Sequence, residues 1–171
     1  DILREVQGIV EAGYREIVLT GIHISSYGID RNGPELLRLL TKLHETDGLD
    51  RIRLGSLEPR IVTEEFARAI SAMPKICPHF HLSLQSGCDS VLARMNRHYT
   101  TGEYFQTTET LRKYYQNPAI TTDVITGFPG ETEEEFRMTE GFVRKVNFYE
   151  MHIFKYSKRQ GTSAASMDCQ L

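Results

Sequence analysis

The chain has no tryptophan, only three cysteines, and neither a CxxC nor a CxxxCxxC spacing anywhere in its 171 residues. Cys77, Cys88 and Cys169 are odd in number and far apart, which excludes a disulfide-stapled secreted scaffold and a cysteine-built metal motif. They read as reduced thiols in a cytoplasmic protein. No apolar stretch approaches the roughly 20 residues that span a bilayer, so no membrane helix and no membrane partner are expected. No secretory or transit leader is expected, since Asp1-Ile2-Leu3-Arg4-Glu5 already reads as helix. An open reading frame does not start with Asp, so the chain is expected to be a piece of a longer protein. Neither charge sign dominates: 20 basic against 23 acidic residues give a net charge of −3. Any affinity for nucleic acid must therefore come from local patches. Repeats, linkers and low-complexity runs are absent, and 40% hydrophobic residues exclude disorder.

What is present is a regular alternation of helical and strand patterns. Ile2, Val6, Ile9 and Val10 form a helical stripe that stops at Gly13. Residues 16–20 are a β-branched-rich run ended by Gly21. Pro34 opens a helix with Leu36, Leu37, Leu39, Leu40 and Leu43 inside, and residues 51–55 form a second strand. Thr63 with Glu64 and Glu65 is a helix start. The third strand is 80–84, followed by a short helix near 90–95 and a longer one over 102–115, with Thr100 and Glu103 spaced as a capping box. A fourth strand covers 120–126. Thr132 and Glu135 form a second capping box, opening a helix with Phe136, Phe142, Val143 and Val146 inside. The fifth strand is 151–156 and the last dozen residues read as loop.

Strict strand-then-helix order predicts parallel βαβ crossovers. A doubly wound sheet and a (β/α) barrel both satisfy it. A doubly wound sheet should be apolar on both faces of its central strands, but His81, Ser83 and Gln85 alternate on one face of their strand, as do Thr121 and Asp123 on theirs. A polar inner lining favours a barrel around a ligand. Function in such barrels collects in the loops after the strands. Here those loops carry Gly21-Ile22-His23, Gly55 to Arg60, Gln85-Ser86-Gly87, Gly127 to Thr132 and Tyr156 to Thr162, each with glycine beside a polar or charged side chain.

The Gly127–Glu131 turn could cradle phosphate, but the acidic Glu131, Glu133, Glu134 and Glu135 suit a neutral or cationic ligand such as a sulfonium better. His79 and His81 stand two apart without a third ligand at a recognisable spacing, so no metal is assigned. Glu58 and Asp123 are possible acid–base or hydroxyl-binding groups, with Arg60 near Glu58. Arg94, Arg97 and His98, and Lys155, Lys158 and Arg159, with Tyr99 and Tyr156 interleaved, offer two patches for an anionic partner such as RNA; a solvated surface is the alternative.

Five stretches, in order, resemble the radical S-adenosylmethionine (SAM) tRNA methylthiotransferases: Glu16 to His23, His81 to Gly87, Arg94-Met95-Asn96-Arg97, Asp123 to Thr132 and Phe154 to Thr162. Gly21-Ile22-His23 and Ser83 to Ser90 look most like the branch acting on threonylcarbamoyladenosine; the isopentenyladenosine branch is the alternative, and the ribosomal-protein branch a weaker third. The resemblance implies a radical SAM core that replaces an adenine C2–H by S–CH3 next to the anticodon. Cleavage of SAM to a 5′-deoxyadenosyl radical uses a [4Fe–4S] cluster on a CxxxCxxC loop, and a second [4Fe–4S] cluster serves sulfur delivery.

That loop is absent here, and with it the first barrel strand. The resemblance therefore implies a partial (β/α) TIM-type barrel over residues 1–171, with five parallel strands and outer helices. The N-terminal methylthiotransferase domain and the C-terminal RNA-binding domain are expected to lie outside it. Both clusters would then belong to the full-length parent, with none in this chain and no activity of the chain alone. The SAM-facing residues implied are Ser83, Gln85, Ser86, Asp123 and the turn Gly127, Phe128, Pro129 and Gly130, with Glu58 and Arg60 near the methionyl end or the substrate. Tyr156, Lys158 and Arg159 are implied to approach the tRNA anticodon stem-loop, and an electron donor is a further partner. A first strand without its neighbour would leave an exposed edge, prone to pairing between chains.

Overall fold

A computed structural model describes residues 1–21, 24–28 and 35–170. The expectations for Ile22, His23 and the helix start at Pro34 lie outside the described residues. Five strands alternate with helices: α1 (Ile2–Glu11), β1 (Glu16–Leu19), α2 (Leu36–His44), β2 (Arg51–Leu54), α3 (Glu64–Ser71), β3 (His79–His81), α4 (Asp89–Arg94), α5 (Thr101–Tyr114), β4 (Ala119–Thr126), α6 (Glu133–Val146) and β5 (Glu150–Lys155).

Every strand pair is parallel. β1 pairs with β2 from Glu16↔Arg51 to Leu19↔Leu54. β4 pairs with β3 on one side and with β5 on the other, up to Thr126↔Lys155. Isolated parallel bridges Ile52↔Ile76 and Leu57↔Leu82 join the two groups, so strand order in space follows the chain. The helices do likewise: α1 packs on α2, α2 on α3, α3 on α5 and α5 on α6. A doubly wound sheet would send helices to both faces. One helix layer in chain order, outside strands in chain order, is an open arc of a (β/α) barrel, as the polar lining predicted; among the described residues the arc does not close.

Local chemistry sets the element ends. The Thr63 hydroxyl accepts from the Phe66 N–H and starts α3. Both capping boxes form: Thr100 accepts from Glu103 N–H while Glu103 accepts from Thr100 N–H, and Thr132 and Glu135 repeat the pattern. α6 stops at Asn147, which is left-handed with φ 56°. Leu40, Leu43, Ile52, Ile70, Phe80, Leu82, Tyr104 and Leu111 are fully buried between strands and helices.

Three expectations need correction. Phe136 is not an inner residue of α6: it is 39% exposed, and the helix meets the Gly87 backbone through Thr139, whose hydroxyl accepts from Gly87 N–H, and through Phe142. The third strand pairs regularly only over His79–His81, for a reason given below. The last residues are not all loop: Thr162 caps a short 3-10 turn, Ser163–Ser166.

Candidate active site

A cleft of about 530 Å³ opens where β4 and β5 end. Gln85, Asp123, Ile125 and Phe128 form one wall, and Phe154, Lys155, Tyr156, Ser157 and Arg159 the other, with Thr162 and Ala164 closing it from the 3-10 turn. Its size is ordinary for a small-molecule site. Three widely separated stretches of sequence thus meet in one concave surface at the carboxyl ends of parallel strands, where barrels of this type bind ligands.

Gln85 reaches this wall because the segment after β3 is bulged. β3 and β4 are in register at His81↔Thr121 and again at Gln85↔Val124. Three residues lie between these points on one strand and two on the other, which is a β-bulge, a device that re-aims side chains beside functional sites. Side chains replace the lost ladder. Leu84 N–H donates to the Thr122 hydroxyl (3.0 Å), and Thr122 also serves the Leu82 carbonyl. From α5, the Tyr104 hydroxyl donates to the Leu82 carbonyl (2.8 Å). The Tyr99 hydroxyl is shared between the carbonyls of Ser83 (2.8 Å) and Leu84 (3.0 Å). The bulge ends at Gln85, whose φ of 69° is the left-handed region that a glutamine rarely adopts. Its backbone is fixed by β4 on both sides: Gln85 N–H donates to Asp123 and Ile125 N–H to Gln85.

Asp123 is held from below. His81 Nδ1 lies 3.1 Å from the Thr121 hydroxyl and His81 Nε2 lies 3.4 Å from Asp123 Oδ2. Thr121 and Asp123 therefore do share a face, as alternation predicted. Ser83 is half-buried and engaged through its carbonyl. Ser86 is fully buried with its hydroxyl 3.1 Å from Thr139 and accepting from Cys88 N–H (3.2 Å), so it braces the turn against α6 and does not line the cleft. Gly87 is required there, since a Cβ would stand 2.7 Å from Phe142 Cβ and 2.9 Å from Thr139 Cα.

In the β4–α6 turn, Gly127 has φ 71°, and its N–H is taken by the Glu131 carboxylate. Gly130 N–H donates to the Cys169 carbonyl (3.0 Å). Two of the N–H groups a phosphate cradle would use are thus occupied from within, and Phe128 is the turn residue that lines the cleft. Arg94 anchors the turn from α4, donating to the Gly130 carbonyl (3.2 Å) and to both Glu135 oxygens (2.9 and 2.7 Å). With Ser90 and the helix cap also donating, the Glu135 carboxyl is held down at about 2.

Neither Glu58 nor Arg60 lines this cleft. Glu58 N–H donates to the Ser25 hydroxyl (3.0 Å) ahead of the 3-10 turn Pro59–Ile61, and Arg60 is exposed. The basic patches also divide. Arg94 and Tyr99 are structural: Arg94 is paired, and burial pushes the Tyr99 phenol up to about 12, so Tyr99 is no platform for RNA bases. Lys155, Lys158 and Arg159 are exposed. Tyr156 packs edge-on against Phe128, ring centroids 5.5 Å apart, with its hydroxyl buried. Sequence reasoning missed Ile125 and Phe154 as cleft walls; their place directly before glycine- and serine-rich turns was the available signal. It also missed Thr139, for which no pattern points inward.

Burial pushes the His79 imidazole down, and no group of three His, Cys, Asp or Glu side chains among the described residues is placed to hold a metal. Cys77 and Cys88 are buried, Cys169 is exposed, and the three do not come together in one group among the described residues. The cleft combines apolar walls from Ile125, Phe128 and Phe154 with the polar side chains of Gln85 and Asp123.

Comparison with known proteins agrees with this geometry. The chain is 43% identical over its whole length to a threonylcarbamoyladenosine tRNA methylthiotransferase of Bacillus subtilis, of which it covers 38%. It is 42% identical to a tRNA-2-methylthio-N(6)-dimethylallyladenosine synthase of Caldicellulosiruptor saccharolyticus, over the whole chain and 36% of that protein. The chain thus spans little more than a third of the relatives it matches. Among solved structures, the radical SAM coproporphyrinogen III oxidase of Escherichia coli shares the fold with a TM-score of 0.69 at 17% identity, over 95% of this chain and 38% of that one. The radical SAM methyltransferase TsrM of Kitasatospora setae gives 0.71 at 18% identity, over 90% and 30%. With the superfamily model matching residues 1–143, the open arc of parallel strands and the cleft at their ends are those of a member of the radical SAM superfamily, to which this chain belongs.

Proposed function

We propose that this chain is the SAM- and substrate-facing part of an enzyme core that methylthiolates C2 of N6-threonylcarbamoyladenosine beside the tRNA anticodon. The carrying observation is that Gln85, from one family-like stretch, and Asp123 and Phe128, from a second, meet Lys155 and Arg159, from a third, in one cleft. Residues 1–171 are read as one partial core domain, and the methylthiotransferase and RNA-binding domains as belonging to the rest of a longer, cytoplasmic protein. SAM and [4Fe–4S] clusters are the cofactors of that whole; when bound, SAM supplies adenosyl and methyl chemistry.

The chain's own residues bind and orient. Asp123, fixed by His81, accepts ligand hydroxyls or amines, and Gln85 offers a carboxamide from a rigid, left-handed backbone. Phe128 and Ile125 cover an aromatic face. Ser83, Ser86, Gly127, Pro129 and Gly130 hold these groups in shape, while Glu58 and Arg60 serve the neighbouring strand end. Lacking a three-cysteine set, these residues alone are inactive. The tRNA anticodon stem-loop approaches over Lys158 and Arg159, and a reductant reaches the cluster elsewhere in the whole protein.

A second reading is supported by the similar identity to dimethylallyladenosine-type relatives. A SAM- or RNA-binding barrel without catalysis is a third. Assay of the whole protein under anaerobic conditions, on tRNA carrying either modified adenosine, decides among them. Methylthiolation of the threonylcarbamoyl tRNA is expected; turnover of the dimethylallyl tRNA alone, or of neither, overturns the reading.

A further inference from the structure

The two cations of the cleft have no counter-ion among the described residues. Lys155 ends β5 and Arg159 follows four residues later. Both line the cleft, and neither makes an ion pair or a side-chain hydrogen bond among the described residues. Arg94, by contrast, is paired with Glu135, and Lys158 is exposed beside the cleft without lining it. Asp123 is the one acid among the described lining residues, and its Oδ2 faces His81 at 3.4 Å. Phe154, Phe128 and Ile125 line the same cleft and supply apolar surface beside the two exposed cations.

The two kinds of N6-modified adenosine differ in one respect that such a site can read. A threonylcarbamoyl group ends in a carboxylate and a hydroxyl, whereas a dimethylallyl group is a hydrocarbon. We infer that Lys155 and Arg159 form a carboxylate subsite that selects N6-substituted adenosines bearing an acidic side chain. Arg159 presents a planar fork suited to a carboxylate, and Lys155 a compact second charge. A hydrocarbon in the same place would leave both cations without a partner while displacing their water, so the subsite discriminates against it as well as for the acid. This inference rests on the cleft being the substrate site proposed above.

The test uses the whole protein to which these residues belong and three anticodon stem-loop RNAs of one sequence, carrying unmodified, threonylcarbamoyl or dimethylallyl adenosine, with affinity read by fluorescence anisotropy. The wild-type protein is expected to favour the threonylcarbamoyl RNA by about tenfold, the size of one charge-assisted contact set. Lys155→Met with Arg159→Met should bring that ratio to about one, and Lys155→Arg alone should keep it. Both positions are exposed, and an unchanged Tm verifies the fold. A double variant that weakens all three RNAs equally and keeps the ratio overturns the subsite, because the cations then serve phosphates. A wild-type protein that favours neither modified RNA, or favours the dimethylallyl one, overturns the substrate reading itself.

Discussion

Glu135 accepts hydrogen bonds from Arg94, Ser90 and the Thr132 backbone, and loses most of them if protonated or neutralised. Glu135→Gln is expected to destabilise the chain by about 2 kcal/mol, the usual worth of hydrogen bonds to a charged group. Because the folded carboxyl is depressed from 4.5 to about 2, this stabilisation is complete above pH 4.5 and disappears as pH falls toward 2. Denaturant unfolding between pH 6 and pH 2.5 should therefore show a steeper acid loss in the wild type than in Glu135→Gln; parallel curves would contradict the network. The capping role of Glu135 was legible in the sequence from its spacing to Thr132. The arginine was not: Arg94 lies 41 residues away and reads as part of a basic surface patch until the fold brings it to α6. Tyr99 misled for the same reason. An aromatic between basic residues looks like an RNA platform, yet its hydroxyl is needed for two carbonyls that the bulge leaves without ladder partners.

The strand–turn segments show where pattern reading holds and where it ends. On β4, period-two alternation placed Thr121 and Asp123 together, and both contact His81. On β3 the same rule treated residues 81, 83 and 85 as one regular strand, and the bulge interrupts the ladder between His81 and Gln85. No local residue announces it, because the extra residue is accommodated by Thr122, Tyr99 and Tyr104 from other elements. The turn that follows depends on close packing of α6 on Gly87. Gly87→Ala is expected to destabilise by about 1–3 kcal/mol, in the range of overpacked cores, since the added carbon meets backbone at Thr139 as well as the Phe142 side chain. Thermal unfolding monitored by circular dichroism checks this; an unchanged Tm would mean that α6 is free to shift.

For the molecule as a whole, the order of strands and helices was legible because each βα unit carries its own signals: caps, glycines and apolar runs. The openness of the arc was expected from the family resemblance, which implied a missing first strand, and not from the pattern itself, since closure depends on which strands are present to pair. Each outermost strand has one partner among the described residues and exposes apolar side chains, Val18 (57%) on β1, and Ile153 (63%) and Phe154 (54%) on β5. Unprotected edges of this kind pair between chains. Sedimentation velocity is expected to show concentration-dependent association of the chain, reduced by Val18→Lys, and a strictly monomeric chain at all concentrations would contradict it.

Everything proposed about function depends on the cleft at the ends of β4 and β5 accepting SAM through Asp123. The direct measurement is calorimetric titration of SAM into the whole protein and into its Asp123→Ala variant, with Tm recorded for both. Binding weakened by about tenfold or more at a nearly unchanged Tm is the expected result, as for loss of a charge-assisted hydrogen bond to the ligand. Equal SAM affinity in the two proteins would contradict the assignment of the cleft.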